Sequence, residues 1–102
     1  HQYLMVLTMN ELVEKYLSSL KKKSFIELAQ LEDYHGEKVI KNRKSYTISV
    51  WKDAINSDEL RVVVQIYHYW FLGIGKMDAD GFTINREGKI SDLTRTELYE
   101  FI

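Results

Sequence analysis

One histidine and two aspartates have the types and spacing that acid–base chemistry could use. His68 has apolar neighbours two residues away on either side, Ile66 and Trp70, within an alternating run. Asp78 and Asp80 are two residues apart, so on a strand both carboxylates face the same side. A histidine in a pocket can act as a general base, and paired carboxylates can divide acid and base roles or hold a cation. His68, Asp78 and Asp80 are therefore candidate catalytic residues.

Each of these candidates also has a structural interpretation, which the pattern favours. A histidine between apolar neighbours is more often buried, neutral and hydrogen bonded to one partner, and no carboxylate stands at a fixed spacing from His68. The run from Asp78 to Gly81 resembles the start of a calcium loop, but its glycine comes too early and the closing glutamate is missing. Charges on a strand can instead protect a sheet edge. We predict no metal site and no cofactor, and the motifs favour a protein that is not an enzyme.

A stripe of aromatic residues is the second candidate site. Tyr67, Tyr69 and Phe71 share one face of an extended chain, and Trp51 lies in another alternating segment. Exposed aromatic patches mark partner surfaces or ligand grooves. The alternative is that the N-terminal segment or a curled sheet covers them, and the sequence leaves the two open. We predict that Trp51, Tyr67, Tyr69 and Phe71 bind a protein partner, most simply a second copy of the chain.

A basic cluster suggests nucleic-acid binding as a weaker alternative. It surrounds a predicted hairpin, and three further lysines stand at positions 21–23; the hairpin residues are Lys38, Lys41, Arg43 and Lys44. Tyr46 and Trp51 could interleave with these cations, as in nucleic-acid binders. However, acidic residues at positions 32, 33 and 37 dilute the cluster, and the formal net charge of the chain is −1. A solvated hairpin tip is the better interpretation.

The composition of the chain predicts the class of protein to which these residues belong. A chain of 102 residues with 45% hydrophobic and 28% charged residues is typical of one soluble globular domain. We expect that domain to span residues 1–102, with residues 1–8 either expression-derived or a flexible extension. The absence of cysteine fits a reducing compartment, and we expect the cytoplasm. No apolar stretch approaches the roughly 20 residues that span a bilayer, so we expect no membrane partner.

Three capping boxes predict three helix starts. Thr8 with Glu11 places the first start near residues 8–10, and the helix ends at the lysines of positions 21–23. Ser24 with Glu27 opens a second helix that runs to about Asp33 and is stopped by Gly36. The third pair, Thr94 and Glu97, opens a short C-terminal helix.

Period-two patterns predict strands between the second and third helices. The predicted strands are Lys38–Lys41, Ser45–Asp53, Arg61–Leu72, Lys76–Ile84 and a stub at Lys89–Ile90. The run Arg61–Leu72 is the central strand, with Val62, Val64, Ile66 and His68 on its more apolar face. Short connections favour an α+β meander of three to five antiparallel strands with the N-terminal helices on one face. This layout resembles the cystatin-like and NTF2-like folds, and the NTF2-like resemblance implies a pocket between sheet and helices.

Overall fold

The computed structural model describes residues 2–71 and 74–98, with side chains for residues 7–69 and 75–98. The described residues form three helices and five strands. In chain order these are α1 (Gln2–Lys21), α2 (Phe25–Ala29), β1 (Tyr34–Lys41), β2 (Lys44–Asn56), β3 (Glu59–Phe71), β4 (Ile74–Asn85), β5 (Ile90–Asp92) and α3 (Arg95–Leu98). No described helix has the length and apolar character needed to cross a membrane.

The strands form one open antiparallel sheet in the order β1-β2-β3-β4-β5, so each strand pairs with its sequence neighbour. The predicted α+β class and meander are confirmed, and β3 is the central strand. Asn42 and Arg43, which join β1 to β2, both have positive φ, at 53° and 64°. Two positive φ values characterise a tight two-residue hairpin whose twist matches that of the strands.

The core lies between α1 and one face of the sheet, here called the front face. Val62, Val64 and Ile66 of β3 are fully buried on that face. They belong to one cluster with the apolar side of α1, which includes Met9, Leu12, Val13 and Leu17. The face predicted to be buried is therefore the buried one. Val63, on the other side of β3, belongs to a separate small cluster with Ala79, Leu93 and Leu98.

Two capping boxes form as predicted. The Ser24 hydroxyl accepts a 3.2 Å hydrogen bond from the Glu27 backbone N–H, and the Glu27 carboxylate accepts a 2.9 Å bond from the Ser24 backbone N–H. Thr94 and Glu97 make the same reciprocal pair at the start of α3. In both helices, donors that have no partner within the helix are satisfied by these side chains.

The predicted start of the first helix near Thr8 is wrong, because α1 already begins at Gln2. Thr8 lies inside this helix and is buried. Its hydroxyl accepts a 3.3 Å hydrogen bond from the side-chain amide of Asn42 in the β1–β2 turn. Leucine and methionine, which recur between residues 4 and 9, favour helix and carry it past the potential cap.

The second helix was predicted too long, since α2 ends at Ala29 and Gly36 lies inside β1. The Lys52 side chain donates to the backbone oxygens of Ala29 and Leu31, at 3.0 and 2.7 Å. The Lys52 backbone N–H bonds to the carbonyl of Asp33 at 2.9 Å. Contacts with β2 therefore end the helix, and β1 begins soon after it. A local pattern does not predict this end, because Lys52 is 23 and 21 residues away in sequence from Ala29 and Leu31.

Candidate functional site

The candidate site is the back face of the sheet, opposite α1. Antiparallel register places Tyr34 directly across from Trp51, and Tyr67 directly across from Met77. We call the surface formed by Tyr34, Trp51, Gln65, Tyr67, Tyr69 and Met77 the aromatic face. It spans β1 to β4, and three of the four predicted binding residues, Trp51, Tyr67 and Tyr69, belong to it. The side chain of Phe71 lies outside the described residues.

A chain of polar contacts runs across the aromatic face. The Trp51 indole N–H donates to the Gln65 side-chain oxygen at 3.1 Å, and the Gln65 amide nitrogen lies 3.4 Å from the Met77 sulfur. The Tyr34 ring packs against the Trp51 ring with a centroid distance of 4.5 Å and a tilt of 59°. The Tyr34 hydroxyl is 3.1 Å from the Ser49 hydroxyl. Side chains of all four strands are therefore held in defined positions on this surface.

Two glycines allow tyrosine rings to lie close to the sheet. A Cβ atom added at Gly36 would lie 2.5 Å from the Tyr34 hydroxyl, and one added at Gly75 would lie 2.5 Å from the Tyr67 hydroxyl. Each ring therefore occupies the space above a residue that has no side chain. The same arrangement is used to compensate for glycine in sheets. A tyrosine ring that lies over the backbone of a glycine gives a flatter surface than a ring that projects away from the sheet.

Much of the aromatic face is open to solvent. Tyr34 is 46% exposed, Trp51 39%, Tyr69 53% and Met77 40%. Of the C-terminal segment, the residues described up to position 98 cover the neighbouring patch, where Leu93 and Leu98 pack on Val63 and Ala79. The sequence left open whether this surface is exposed or covered by the N-terminal segment or a curled sheet. In the described residues it is accessible to solvent, and α1 does not cover it.

Charged side chains lie at the margins of this surface. Arg61 and Asp53 form a two-point ion pair, with Nε–Oδ1 and Nη2–Oδ2 distances of 3.0 and 2.7 Å. Lys38 stands on the edge strand β1, in register with Thr47. An apolar, aromatic centre with charges at its rim is the usual organisation of a protein–protein interface.

His68 is buried on the front face at 8% exposure. Its Nδ1 lies 2.9 Å from the backbone oxygen of Ser45, and its ring packs against Tyr46 with a centroid distance of 5.1 Å. A carbonyl oxygen can only accept, so the Nδ1 atom carries the hydrogen of this bond. This is the geometry of a core histidine whose orientation is fixed by the backbone.

Register places His68, Asp78 and Asp80 on the front face. Asp78 lies opposite Ile66 and is therefore a diagonal neighbour of His68, and Asp80 lies farther along, opposite Val64. The Asp78 carboxylate accepts the backbone N–H of Ala79 at 2.9 Å, and the Asp80 carboxylate accepts that of Gly81 at 2.8 Å. Both line a groove of about 650 Å³ beside α1, together with Glu14, Lys21 and Asp92, and His68 is not among its lining residues. Among residues 2–71 and 74–98, no three histidine, aspartate or glutamate side chains converge as metal ligands.

The basic residues do not form one surface. Lys41 in the hairpin pairs with Glu11 at 3.6 Å, near the N-terminal half of α1. Lys21 ends α1 and pairs with Asp92 of β5 at 3.6 Å. The helix rises 1.5 Å per residue, which places Lys21 roughly 15 Å from Glu11 along the axis. The lysines of positions 21–23 therefore do not extend the basic patch of the hairpin, and this weakens the prediction of nucleic-acid binding.

The chain matches no protein-family model, no curated protein and no solved structure.

Sequence reasoning missed Tyr34, Gln65 and Met77 as members of the aromatic face. Tyr34 was assigned to the region between the second helix and Gly36, and so it was not placed on a strand. A signal for it does exist, because Tyr34, Gly36, Lys38 and Ile40 alternate with the residues that face α1. The period-two stripe also included Gln65, and a polar amide between aromatic residues is a natural partner for an indole N–H.

Proposed function

We propose that this chain is a small protein-interaction domain and that its aromatic face binds a second copy of the chain. The observation that supports this most strongly is the solvent exposure of Tyr34, Trp51, Tyr69 and Met77 on one continuous surface. Tyrosine and tryptophan dominate the binding energy of many interfaces because their large rings bury apolar area while their polar atoms still find partners.

The area of this surface suits an interface. An aromatic side chain can bury about 150–250 Å², so three half-exposed rings and Met77 leave roughly 300–400 Å² accessible. The largest apolar patch on a typical monomer is about 300–600 Å². Each partner in a standard interface contributes about 800 Å². The aromatic face would supply the centre, and neighbouring side chains such as Ile40, which is 77% exposed, would supply the remainder.

The internal contacts of the face favour association as well. Association costs free energy when flexible side chains become ordered at an interface. The bonds that link Trp51, Gln65 and Met77, and the packing of Tyr34 on Trp51, reduce that cost because these side chains are already positioned. A two-fold dimer would bring the same surface from both copies together.

We also propose a more specific fold and a cellular compartment for this chain. The layout would be cystatin-like or NTF2-like, supported by one long helix that precedes a five-strand meander and contacts β3 and β4. The compartment would be the cytoplasm, supported by the absence of cysteine from the sequence. The acid–base enzyme is less well supported, because His68 bonds to the backbone and does not line the groove that Asp78 and Asp80 line.

Sedimentation equilibrium over a micromolar to submillimolar range tests the proposal. We expect a monomer–dimer equilibrium that Tyr69→Ala and Trp51→Ala each weaken by about thirtyfold, as truncation of a central aromatic residue does. Ile26→Ala is the matched control, since it removes a 65% exposed apolar side chain from α2, on the other side of the sheet. A monomer at every concentration, or a dimer affected only by Ile26→Ala, would rule out self-association through this face.

A further inference from the structure

A second pocket, open to solvent, lies on the front face between α1, the segment after α2, β1 and β2. Its volume is about 350 Å³, and its apolar walls are Leu20, Leu31 and Val50. The polar side chains that line it are Tyr16, Glu32, His35 and Glu37. Small-molecule sites usually have volumes of about 300–1,000 Å³ and combine apolar walls with a few polar groups. The pocket is separate from the aromatic face, because β1 exposes His35 and Glu37 on the opposite side of the sheet from Tyr34.

Two side chains lie beside the Glu37 carboxylate in this pocket. The Tyr16 hydroxyl donates a hydrogen bond to its Oε1 atom, and the His35 Nε2 atom lies 3.8 Å from its Oε2 atom. Burial, together with the bond to Glu37 and the charge of Glu37, raises the pKa of Tyr16 to about 12. The phenol therefore stays protonated at neutral pH and remains a donor. The bond from Tyr16 thus restricts the Glu37 carboxylate before any ligand arrives.

The charges around the pocket are predominantly negative. Glu32 adds a second carboxylate, and the described lining contains neither lysine nor arginine. Lys52 lies nearby, but its ammonium group donates to the Leu31 carbonyl at 2.7 Å and pairs with Asp33 at 3.3 Å. An anionic ligand would therefore meet two carboxylates without a cation to offset them. A cationic ligand would meet complementary charge.

We propose that this pocket binds a small primary amine with an aliphatic or alicyclic body. The ammonium group donates to Glu37, and the hydrocarbon body packs against Leu20, Leu31 and Val50. An ammonium group has three donors and forms charge-assisted bonds with carboxylates, which are stronger than neutral hydrogen bonds. A neutral molecule of the same shape gains only the apolar contacts.

Titration of the isotopically labelled full chain with three probes of one shape tests this inference by NMR. The probes are cyclohexylamine, cyclohexanol and cyclohexanecarboxylate, each raised to millimolar concentration at pH 7. We expect saturable shifts of the Tyr16, Leu31 and Glu37 amides with the amine, at an affinity about tenfold or more above that for the alcohol. The carboxylate should give none. Equal affinity for amine and alcohol, or no saturable shift with the amine, would overturn the proposal.

Two variants separate this site from general attraction of cations. Glu37→Gln keeps the shape of the side chain and removes its charge, so it should lower the amine affinity about tenfold and leave the alcohol unchanged. Asp80→Asn removes one charge from the groove beside β4 and should leave amine binding unchanged. If Asp80→Asn weakened amine binding as much as Glu37→Gln, the attraction would be diffuse and the proposed site would be wrong. If Glu37→Gln perturbed folding, the probe series on the unmodified chain would still decide.

Discussion

The indole nitrogen of Trp51 donates a 3.1 Å hydrogen bond to the side-chain oxygen of Gln65. Trp51 lies opposite Val63 and Ser49 lies opposite Gln65, so the two bonded residues are diagonal neighbours on adjacent strands. Diagonal pairs on one face of a sheet are within reach of long and aromatic side chains. The same glutamine approaches the Met77 sulfur at 3.4 Å, and one amide group thereby connects β2, β3 and β4.

Replacement of Gln65 by alanine should release the Trp51 indole. The free energy of unfolding should fall by about 1 kcal/mol, the usual net contribution of a hydrogen bond. The NMR resonance of the Trp51 indole N–H should also move, because its acceptor is removed. Gln30→Ala, which deletes an exposed amide at the end of α2, is the control and should alter neither quantity. An indole resonance that stays in place would show that the bond is not formed in solution.

Alanine substitutions at two glycines should differ in cost. At Gly81 an added Cβ would clash with the backbone oxygen of Val62 and lie 2.9 Å from the Leu93 side chain. At Gly36 the nearest atoms all belong to the Tyr34 ring, which can rotate away. We expect Gly81→Ala to destabilise the chain by about 1–3 kcal/mol, as overpacking does, and Gly36→Ala to cost clearly less. Denaturant unfolding of both variants gives the comparison, and equal losses would contradict it.

The central architecture could be predicted because its signals are local. The alternation of Val62, Val64 and Ile66 gives the buried face of β3 directly. Turn chemistry at Asn42-Arg43 and at Gly88, whose φ is 85°, gives the hairpins. The aromatic face follows from the same period-two argument applied to Trp51, Tyr67 and Tyr69.

The remaining features depend on tertiary contacts. Thr8, Ser24 and Thr94 stand in the same local capping pattern, yet only the latter two cap helices, because α1 continues past Thr8 and buries it. The first strand begins at Tyr34 because β2 is long enough to pair with it, and the alternation of residues 34–40 does not by itself show where that strand starts. Tyr16 and Glu37 are 21 residues apart, and they meet only because α1 docks beside β1.

Stability at high pH should depend on Tyr16. Its pKa is raised from 10.0 to about 12 in the folded chain, chiefly by burial. Above pH 10 the unfolded chain loses the Tyr16 proton while the folded chain retains it. This contribution to stability is therefore complete below pH 10 and is lost as the pH rises towards 12. Burial raises the pKa of Tyr46 as well, so its contribution has the same sign.

Absorbance of tyrosinate at 295 nm measures this effect, with circular dichroism recorded in parallel to detect unfolding. Tyr16→Phe should remove one component that titrates near pH 12 and should reduce the loss of stability above pH 10. Tyr69→Phe, which removes an exposed hydroxyl group, is the control and should leave that component in place. If Tyr16→Phe removed no such component, Tyr16 would not be buried beside Glu37 in solution as it is in this structure.

The two carboxylates of β4 lie along the outer edge of that strand, where the short β5 is the one described strand that pairs with it. The third strand pairs with the whole length of β4, whereas β5 covers only Phe82, Thr83 and Ile84 on the other side. Where no described strand pairs with this edge, the N–H groups of Ala79 and Gly81 bond to the carboxylates of Asp78 and Asp80. Leu93 packs on Ala79 there, and its backbone nitrogen lies 3.5 Å from the Gly81 carbonyl oxygen. Unpaired N–H groups on an edge are a template for pairing with a further chain, and charges oppose it.

The double variant Asp78→Ala/Asp80→Ala should therefore aggregate faster than the unmodified chain. It frees two outward N–H groups and removes two negative charges from the edge. Light scattering during incubation at moderate temperature measures the rate. Glu32→Ala/Glu87→Ala makes the same change in net charge at exposed positions away from this edge, so it controls for the general loss of charge repulsion. Aggregation should be faster in the aspartate variant than in this control. Equal rates would mean that net charge alone, and not the capping of Ala79 and Gly81, keeps the edge from pairing.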